Sequence, residues 1–83
     1  MTQSPWQALS PARQHADLSM AALFVRYVAL GGSASPAQLS AHFASGAALS
    51  VLEHDTAVHA LNERFLELHD PQRLPYEADD TPT

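Results

Sequence analysis

The stretch SASPAQLSAHFASG (residues 33–46) contains the start and stop signals of one short helix. Residues 35–38 read SPAQ, which has the S-x-x-Q pattern of a capping box: the serine hydroxyl accepts from the third residue's N–H, and the glutamine reaches back. Proline at the first helical position costs no hydrogen bond, and Gly46 readily takes the left-handed conformation that ends a helix. The stretch predicts a helix over about 36–45.

A second helix is predicted upstream of this stretch. Apolar residues recur at helical spacing between Met20 and Leu30, and the glycine pair at 31–32 ends the segment. Ser10 and the proline after it offer an earlier start. Residues 11–19 therefore either belong to the same helix or precede a new one capped by Asp17 or Ser19.

A third and longer helix is predicted downstream. Residues 50–53 read SVLE, a capping box of the S-x-x-E kind, and the proline at 71 stops the helix near His69. One apolar stripe of the a/d kind follows this helix, and His54 lies on it. The stripe consists of Val51, Val58, Leu61, Phe65 and Leu68.

The three helical segments indicate an all-α fold. We expect a small three-helix domain with a loosely helix-turn-helix-like arrangement and flexible termini. Residues 1–9 are interpreted as an irregular segment, 10–69 as the helical domain and 70–83, DPQRLPYEADDTPT, as a disordered acidic tail. The predicted core contains one set of apolar residues from all three helices. They are Leu23, Phe24, Tyr27, Leu39, Phe43, Val58, Leu61 and Phe65.

The predicted helices at about 20–30, 36–45 and 51–69 loosely resemble the tri-helical core of helix-turn-helix and winged-helix domains. The resemblance implies that the third helix would enter the DNA major groove. The charge balance opposes this function, because nine acids face only four arginines (13, 26, 64 and 73), there is no lysine, and the net charge is −5. The charge balance disfavours nucleic acid as a partner, and DNA binding is the alternative function.

The composition also limits the cellular setting and the chemistry. The chain has no cysteine, which excludes disulfides and thiolate sites. The beginning of the sequence lacks the pattern of a secretory signal, and the apolar run at 20–30 is too short and too charged for a bilayer. We therefore expect a cytoplasmic protein without membrane contact, and abundant alanine with no lysine suggests a bacterial source.

The sequence offers candidate residues for two chemical functions, metal binding and hydrolysis. Asp55, His59 and Glu63 are spaced four residues apart on one side of the third helix, but one helix face rarely supplies a closed metal site. Ser50 is already assigned as a helix cap, so it does not pair with His54 and Asp55 as a catalytic triad. No enzyme activity, metal or cofactor is predicted.

His54 interrupts an apolar stripe and allows two interpretations. The first is a half-exposed histidine near a helix start with one nitrogen bonded to a neighbour. The second is a contact that responds to pH, because imidazole titrates near neutrality and burial lowers its pKa.

The preferred function is a regulatory or adaptor module that acts through protein–protein contact. The helix over 20–30 is apolar on all sides, and such a helix is usually covered on all sides. The predicted partner is a second copy of the chain, another protein with basic character, or both. The predicted interface residues are Met20, Phe24, Val25, Tyr27, Val28, His54 and Arg64.

Overall fold

The computed structural model describes residues 4–79, and in this range the fold is all-α without a strand. The class is as predicted, but four α-helices are present rather than three. They are α1 (Leu9–His15), α2 (Met20–Ala29), α3 (Pro36–Ser45) and α4 (Val51–Glu67), with 3-10 turns at Pro5–Ala8 and Glu77–Asp79. Within the described range, none of the helices is long and apolar enough to cross a membrane.

The additional helix arises because the chain breaks before α2. Asp17 has a φ of 56°, which a continuous helix does not allow, and Ser19 then caps a new helix by accepting from the N–H of Ala22 at 3.0 Å. Of the two alternatives left open by the sequence, α1 and α2 are therefore separate helices.

The predicted caps of α3 and α4 are both present, but only the first is reciprocal. Ser35 Oγ accepts from Gln38 N at 3.1 Å, and the Gln38 side chain accepts from Ser35 N at 2.8 Å. Ser50 Oγ accepts from Glu53 N at 3.1 Å. The Glu53 carboxylate binds instead to groups outside its own helix, so the predicted capping box is only half formed.

The core lies where α2 packs against α3 and α4 and where α1 closes onto both of them. Seven of the eight predicted core residues are buried. Phe24 is only partly buried because it lies at the surface between α2 and α3. On α4 the centre of the predicted stripe is buried, whereas Val51 and Leu68 at its ends are 45% and 41% exposed.

The C-terminal segment runs back along α4 and is fixed to it by two side chains. Asn62 Nδ2 donates to the Leu74 carbonyl at 3.0 Å, and Asn62 Oδ1 accepts from Leu74 N at 2.7 Å. The Asp55 carboxylate accepts from the N–H groups of Glu77 and Ala78 at 2.7 and 3.0 Å. These bonds hold residues 74–78 against α4, and the disordered tail over 70–83 stays a prediction.

The described N-terminal residues are also more regular than expected. The predicted irregular segment 1–9 contains the 3-10 turn Pro5–Ala8 and the first residue of α1. Trp6 of this turn packs on the core beside Gly46. Residues 1–3 and 80–83 of the two predicted end segments lie outside the described residues.

Candidate functional site

An apolar groove runs between α2 and α3 on the surface. We call it the α2–α3 groove, and it encloses about 440 Å³. Three residues of the predicted interface line it, and Val25 projects from its edge with 69% of its surface exposed. Val28, one turn further along α2, is 47% exposed. The lining residues are Met20, Ala21, Phe24, Val25, Pro36, Leu39 and Ser40.

The other predicted interface residues do not join this surface. Tyr27 is fully buried and His54 is 1% exposed, so both are inside a single copy of the chain and unavailable to a partner. Arg64 is turned towards its own chain, where Nε donates to the Ala16 carbonyl at 3.1 Å. The apolar pattern of α2 correctly indicated residues of the groove. It did not separate them from the residues on the other side of α2, which α4 covers.

Tyr27 is buried because it forms part of a polar cluster at the start of α4. Its hydroxyl donates to Glu53 Oε1 and accepts from Ala34 N at 2.8 Å. Glu53 also accepts from Ser33 N at 2.9 Å and from Ser33 Oγ at 2.8 Å. These hydrogen bonds lower the pKa of Glu53 to about 2. The backbone N–H of Ser33 makes the largest contribution and the Tyr27 hydroxyl the next largest. Burial and the bond to Glu53 raise the pKa of Tyr27.

Two buried histidines from different helices form a hydrogen-bonded pair. His42 Nε2 on α3 lies 2.9 Å from His54 Nδ1 on α4, and the two rings are nearly perpendicular with centroids 5.2 Å apart. His42 and His54 are 7% and 1% exposed. The second nitrogen of His42, Nδ1, lies 2.8 Å from the Ala47 carbonyl oxygen.

The Ala47 carbonyl determines where the protons of this pair reside. A carbonyl oxygen only accepts, so His42 Nδ1 carries a proton and donates it. In the neutral pair, His42 Nε2 then accepts from His54 Nδ1–H, and His54 Nε2 is left with a free lone pair. Burial lowers the pKa of His54, while the nearby Glu77 and Asp55 carboxylates oppose this effect and His42 adds to it. The net shift favours the neutral form of His54.

His54 also lines a cavity, which we call the His54 cavity, of about 200 Å³. No hydrogen-bond partner for His54 Nε2 is present in the described range 4–79. The walls come from α1, α4 and both end segments of the chain. The lining residues are Ser4, Pro5, Ala8, Leu9, His54, Val58, Leu74, Pro75, Tyr76 and Glu77.

All four arginines contact groups of their own chain. Arg26 and Arg64 bind a carboxylate on the helix surface, and all except Arg26 donate to backbone carbonyls. The four arginines therefore do not form a basic stripe for phosphates. The contacts are Arg13 to Leu18 O at 2.6 Å, Arg26 to both Glu67 oxygens at 2.7 and 2.8 Å, Arg64 to Ala16 O at 3.1 Å and Glu67 at 3.3 Å, and Arg73 to Asp70 O at 2.7 Å. DNA binding stays a prediction without a contact that favours it.

The candidate residues for metal binding or hydrolysis have other partners. His59 Nε2 lies 3.5 Å from Glu63, but Asp55 is engaged with the C-terminal backbone. In residues 4–79 no group of three potential ligands could hold a metal ion. Ser50 caps α4 and His54 bonds to His42, so the hydrogen-bond chain of a triad is not assembled here.

The His42–His54 pair was missed at the level of sequence. The two residues are twelve positions apart on different helices, and no periodicity connects them. The signal that could have been used is the high count of five histidines, together with the position of His54 on an apolar stripe. No protein-family model matches this chain, and neither does any characterised protein or solved structure.

Proposed function

We propose that the protein is a non-enzymatic regulatory or adaptor module of the bacterial cytoplasm that acts as a homodimer, with the α2–α3 groove as the contact surface. The observation that carries the proposal is the apolar, projecting position of Val25 next to a hollow between two helices. Contiguous exposed apolar surface on a small protein usually marks an interaction site.

Charge favours a second copy as the occupant of the groove. Each chain carries a net charge of −5, so two copies repel one another over most of their surface. None of the seven side chains that line the groove is charged. Two copies can therefore meet at this surface without placing carboxylates opposite each other.

Shape supports the same occupant. A two-fold dimer uses one patch on both chains, so the patch must offer both a projection and a recess. Val25 and Val28 project from α2, and the hollow beside Phe24 and Leu39 lies next to them. Each copy would insert its valines into the hollow of the other.

Light scattering coupled to size-exclusion chromatography tests this proposal over a range of concentrations up to high micromolar. We expect a dimeric mass for the unchanged protein and a monomeric, folded Val25→Asp variant, because a carboxylate in an apolar contact loses its hydration. The matched control is Leu52→Asp, which changes an equally exposed apolar residue, 73% exposed, outside the groove. This control should remain dimeric.

Two results would overturn the proposal. One is a monomeric mass for the unchanged protein at high micromolar concentration, which would leave another protein as the occupant of the groove. The other is a dimer that persists in Val25→Asp, which would place the contact elsewhere. Circular dichroism of each variant verifies that a change in mass does not result from unfolding.

A further inference from the structure

We propose that the His54 cavity is a binding site for a small, neutral, largely apolar molecule that carries one hydrogen-bond donor, such as a phenol. The free nitrogen of His54 accepts from the donor of the ligand, and the apolar walls enclose the remainder. This site lies apart from the α2–α3 groove and is independent of the proposed dimer.

The size of the cavity suits a single aromatic ring. An apolar protein cavity of about 150 Å³ is known to bind benzene, and about 200 Å³ leaves room for one or two further heavy atoms. Leu9 and Val58 form the inner wall, and each is 1% exposed. Leu74 and Tyr76 form the outer wall, so most of the lining surface is apolar, as in small-molecule sites generally.

The polarity of the site follows from the hydrogen bonds behind it. The Ala47 carbonyl keeps a proton on His42 Nδ1, and the neutral pair therefore presents His54 Nε2 as an acceptor. His54 Nε2 has no protein partner in the described range but keeps some accessible surface, so a ligand donor takes the place of water at this nitrogen. A molecule that only accepts hydrogen bonds would displace that water without replacing its hydrogen bond.

The charge of the ligand is limited by the groups that surround His54. The titratable side chains of the cavity wall are His54, Tyr76 and Glu77, and behind the ring lie His42 on α3 and Asp55 on α4. At neutral pH the two carboxylates repel an anion, and no cationic side chain lines the wall within the described residues. A neutral donor fits this environment better than a carboxylate.

A change in protonation would reverse the polarity of the site. His42 Nδ1 and the nitrogen-to-nitrogen contact each already hold one proton, so an added proton must reside on His54 Nε2. This is true whether the charge is assigned to His42 or to His54. The site then donates, and a donor on the ligand is no longer preferred.

Titration of the full chain followed by amide NMR spectra tests the site, with phenol, anisole and benzoate as probes. Anisole has the ring and oxygen of phenol but lacks the O–H donor. At pH 8 we expect phenol to shift amide signals around Leu9, His54, Val58 and Leu74. It should bind about tenfold more tightly than anisole, the factor that corresponds to one hydrogen bond. Benzoate should bind more weakly than phenol.

Two variants connect the binding to this cavity. Ala8→Leu extends a wall residue into the space without altering either histidine, and it should abolish the phenol shifts. Ala44→Leu is the matched control on the exposed side of α3, and its phenol affinity should be unchanged. His54→Leu removes the acceptor, so phenol and anisole should bind that variant equally.

The proposal fails if phenol at low millimolar concentration shifts no amide of the cavity, or if phenol and anisole bind the unchanged protein equally at pH 8. It also fails if the folded Ala8→Leu variant binds phenol as before. A further test is the same titration at the lowest pH at which the protein stays folded. There the difference in affinity between phenol and anisole should disappear. A difference that is the same at every pH would contradict the assignment of the acceptor to His54.

Discussion

His42 Nε2 and His54 Nδ1 lie 2.9 Å apart, so imidazoles from α3 and α4 share a hydrogen bond inside the protein. The bond links two helices that are separated in sequence only by the short segment 46–50. Because burial lowers the pKa of His54, this buried contact makes the stability of the fold depend on pH near neutrality.

We expect the free energy of unfolding to fall as the pH drops from about 8 to 5.5. Burial lowers the pKa of His54, so the unfolded chain binds a proton near pH 6.5 while the folded ring does not. The contribution of His54 to the free energy of unfolding is therefore complete above pH 6.5. It is lost as the pH falls from 6.5 towards the lower pKa of the folded protein. The limiting slope for one proton is about 1.4 kcal/mol per pH unit.

Urea denaturation at a series of pH values measures this slope. In His54→Gln, which keeps an amide donor for His42 but does not titrate, the slope should become smaller. His59→Gln is the control, because His59 is exposed and its ring faces Glu63 and Tyr76 at the surface. Equal slopes in the unchanged protein and in His54→Gln would contradict the prediction.

Glu53 makes a second contribution that depends on pH, in a more acidic range. Its folded pKa is about 2, below the ordinary value of 4.5, so its stabilising effect is complete above pH 4.5 and is lost as the pH falls towards 2. We expect Glu53→Gln to lower the free energy of unfolding by about 1–3 kcal/mol at pH 7, since hydrogen bonds to a charged group are lost. The deficit should be smaller at pH 3.

Denaturation of both proteins at pH 7 and pH 3 measures this deficit. Glu63→Gln serves as the matched control, because its side chain is 44% exposed and its contact is a 3.5 Å pair with His59. The control should change stability little at either pH. A deficit of Glu53→Gln that is as large at pH 3 as at pH 7 would show that the charge of Glu53 is not its source.

Gly46 should tolerate no side chain, for two separable reasons. Its φ is 72°, and a Cβ added there would lie 2.4 Å from Trp6 Nε1. We expect Gly46→Ala to destabilise the protein by more than the roughly 1 kcal/mol of the strained backbone alone. The comparison is Gly31→Ala, where φ is 97° but the added Cβ meets no atom within 4 Å.

Thermal unfolding followed by tryptophan fluorescence distinguishes these two reasons. Trp6 is the single tryptophan of the chain, so its emission reports on the displaced contact. Gly46→Ala should shift the emission of the folded state, and Gly31→Ala should not. If both variants lose the same stability and leave the emission unchanged, the packing of Trp6 on Gly46 is not important.

Asn62 should control the accessibility of the C-terminal segment. Its amide makes both hydrogen bonds to the backbone of Leu74, directly after Arg73, and trypsin cleaves after arginine. We expect Asn62→Ala to increase the rate of cleavage after Arg73 by about tenfold, because the segment opens without breaking these two hydrogen bonds, whose combined net contribution is about 1.4 kcal/mol. Mass spectrometry of a digestion time course measures this rate.

Asp55→Ala is the matched comparison for this prediction. It releases the N–H groups of Glu77 and Ala78 but leaves Leu74 bound to Asn62. Cleavage after Arg73 should then increase less than in Asn62→Ala. If the two variants are cleaved at the rate of the unchanged protein, the side chains of α4 do not hold this segment.

The helix starts and the centre of the core could be predicted because they depend on local spacing. Ser35 and Ser50 cap α3 and α4 as expected, and the buried part of the α4 stripe follows its seven-residue period. The sequence does not decide the break before α2, because Asp17 and Ser19 are both acceptable caps. In the structure Asp17 takes a left-handed conformation, and α1 ends there with the N–H groups of Asp17 and Leu18 donating to the carbonyls of Gln14 and Arg13.

The candidate sites were harder to predict from the sequence, because side chains that are distant in sequence create them. Glu53 was expected to complete its own capping box, but Tyr27 and Ser33 draw its carboxylate away. Residues 70–79 have no periodicity, and the groups that fix them, Asn62 and Asp55, are ordinary polar residues of another helix. Hydrophobic patterning therefore locates the α2–α3 groove and overlooks the His54 cavity.

The outer wall of the His54 cavity, Leu74 and Tyr76, also has a consequence for the order of events during synthesis. The remainder of the cavity comes from the N-terminal turn, α1 and α4, which leave the ribosome earlier. The N-terminal turn, α1 and α4 therefore supply the inner side of the cavity by themselves. The site around His54 gains its outer wall only when the segment after α4 has emerged and docked.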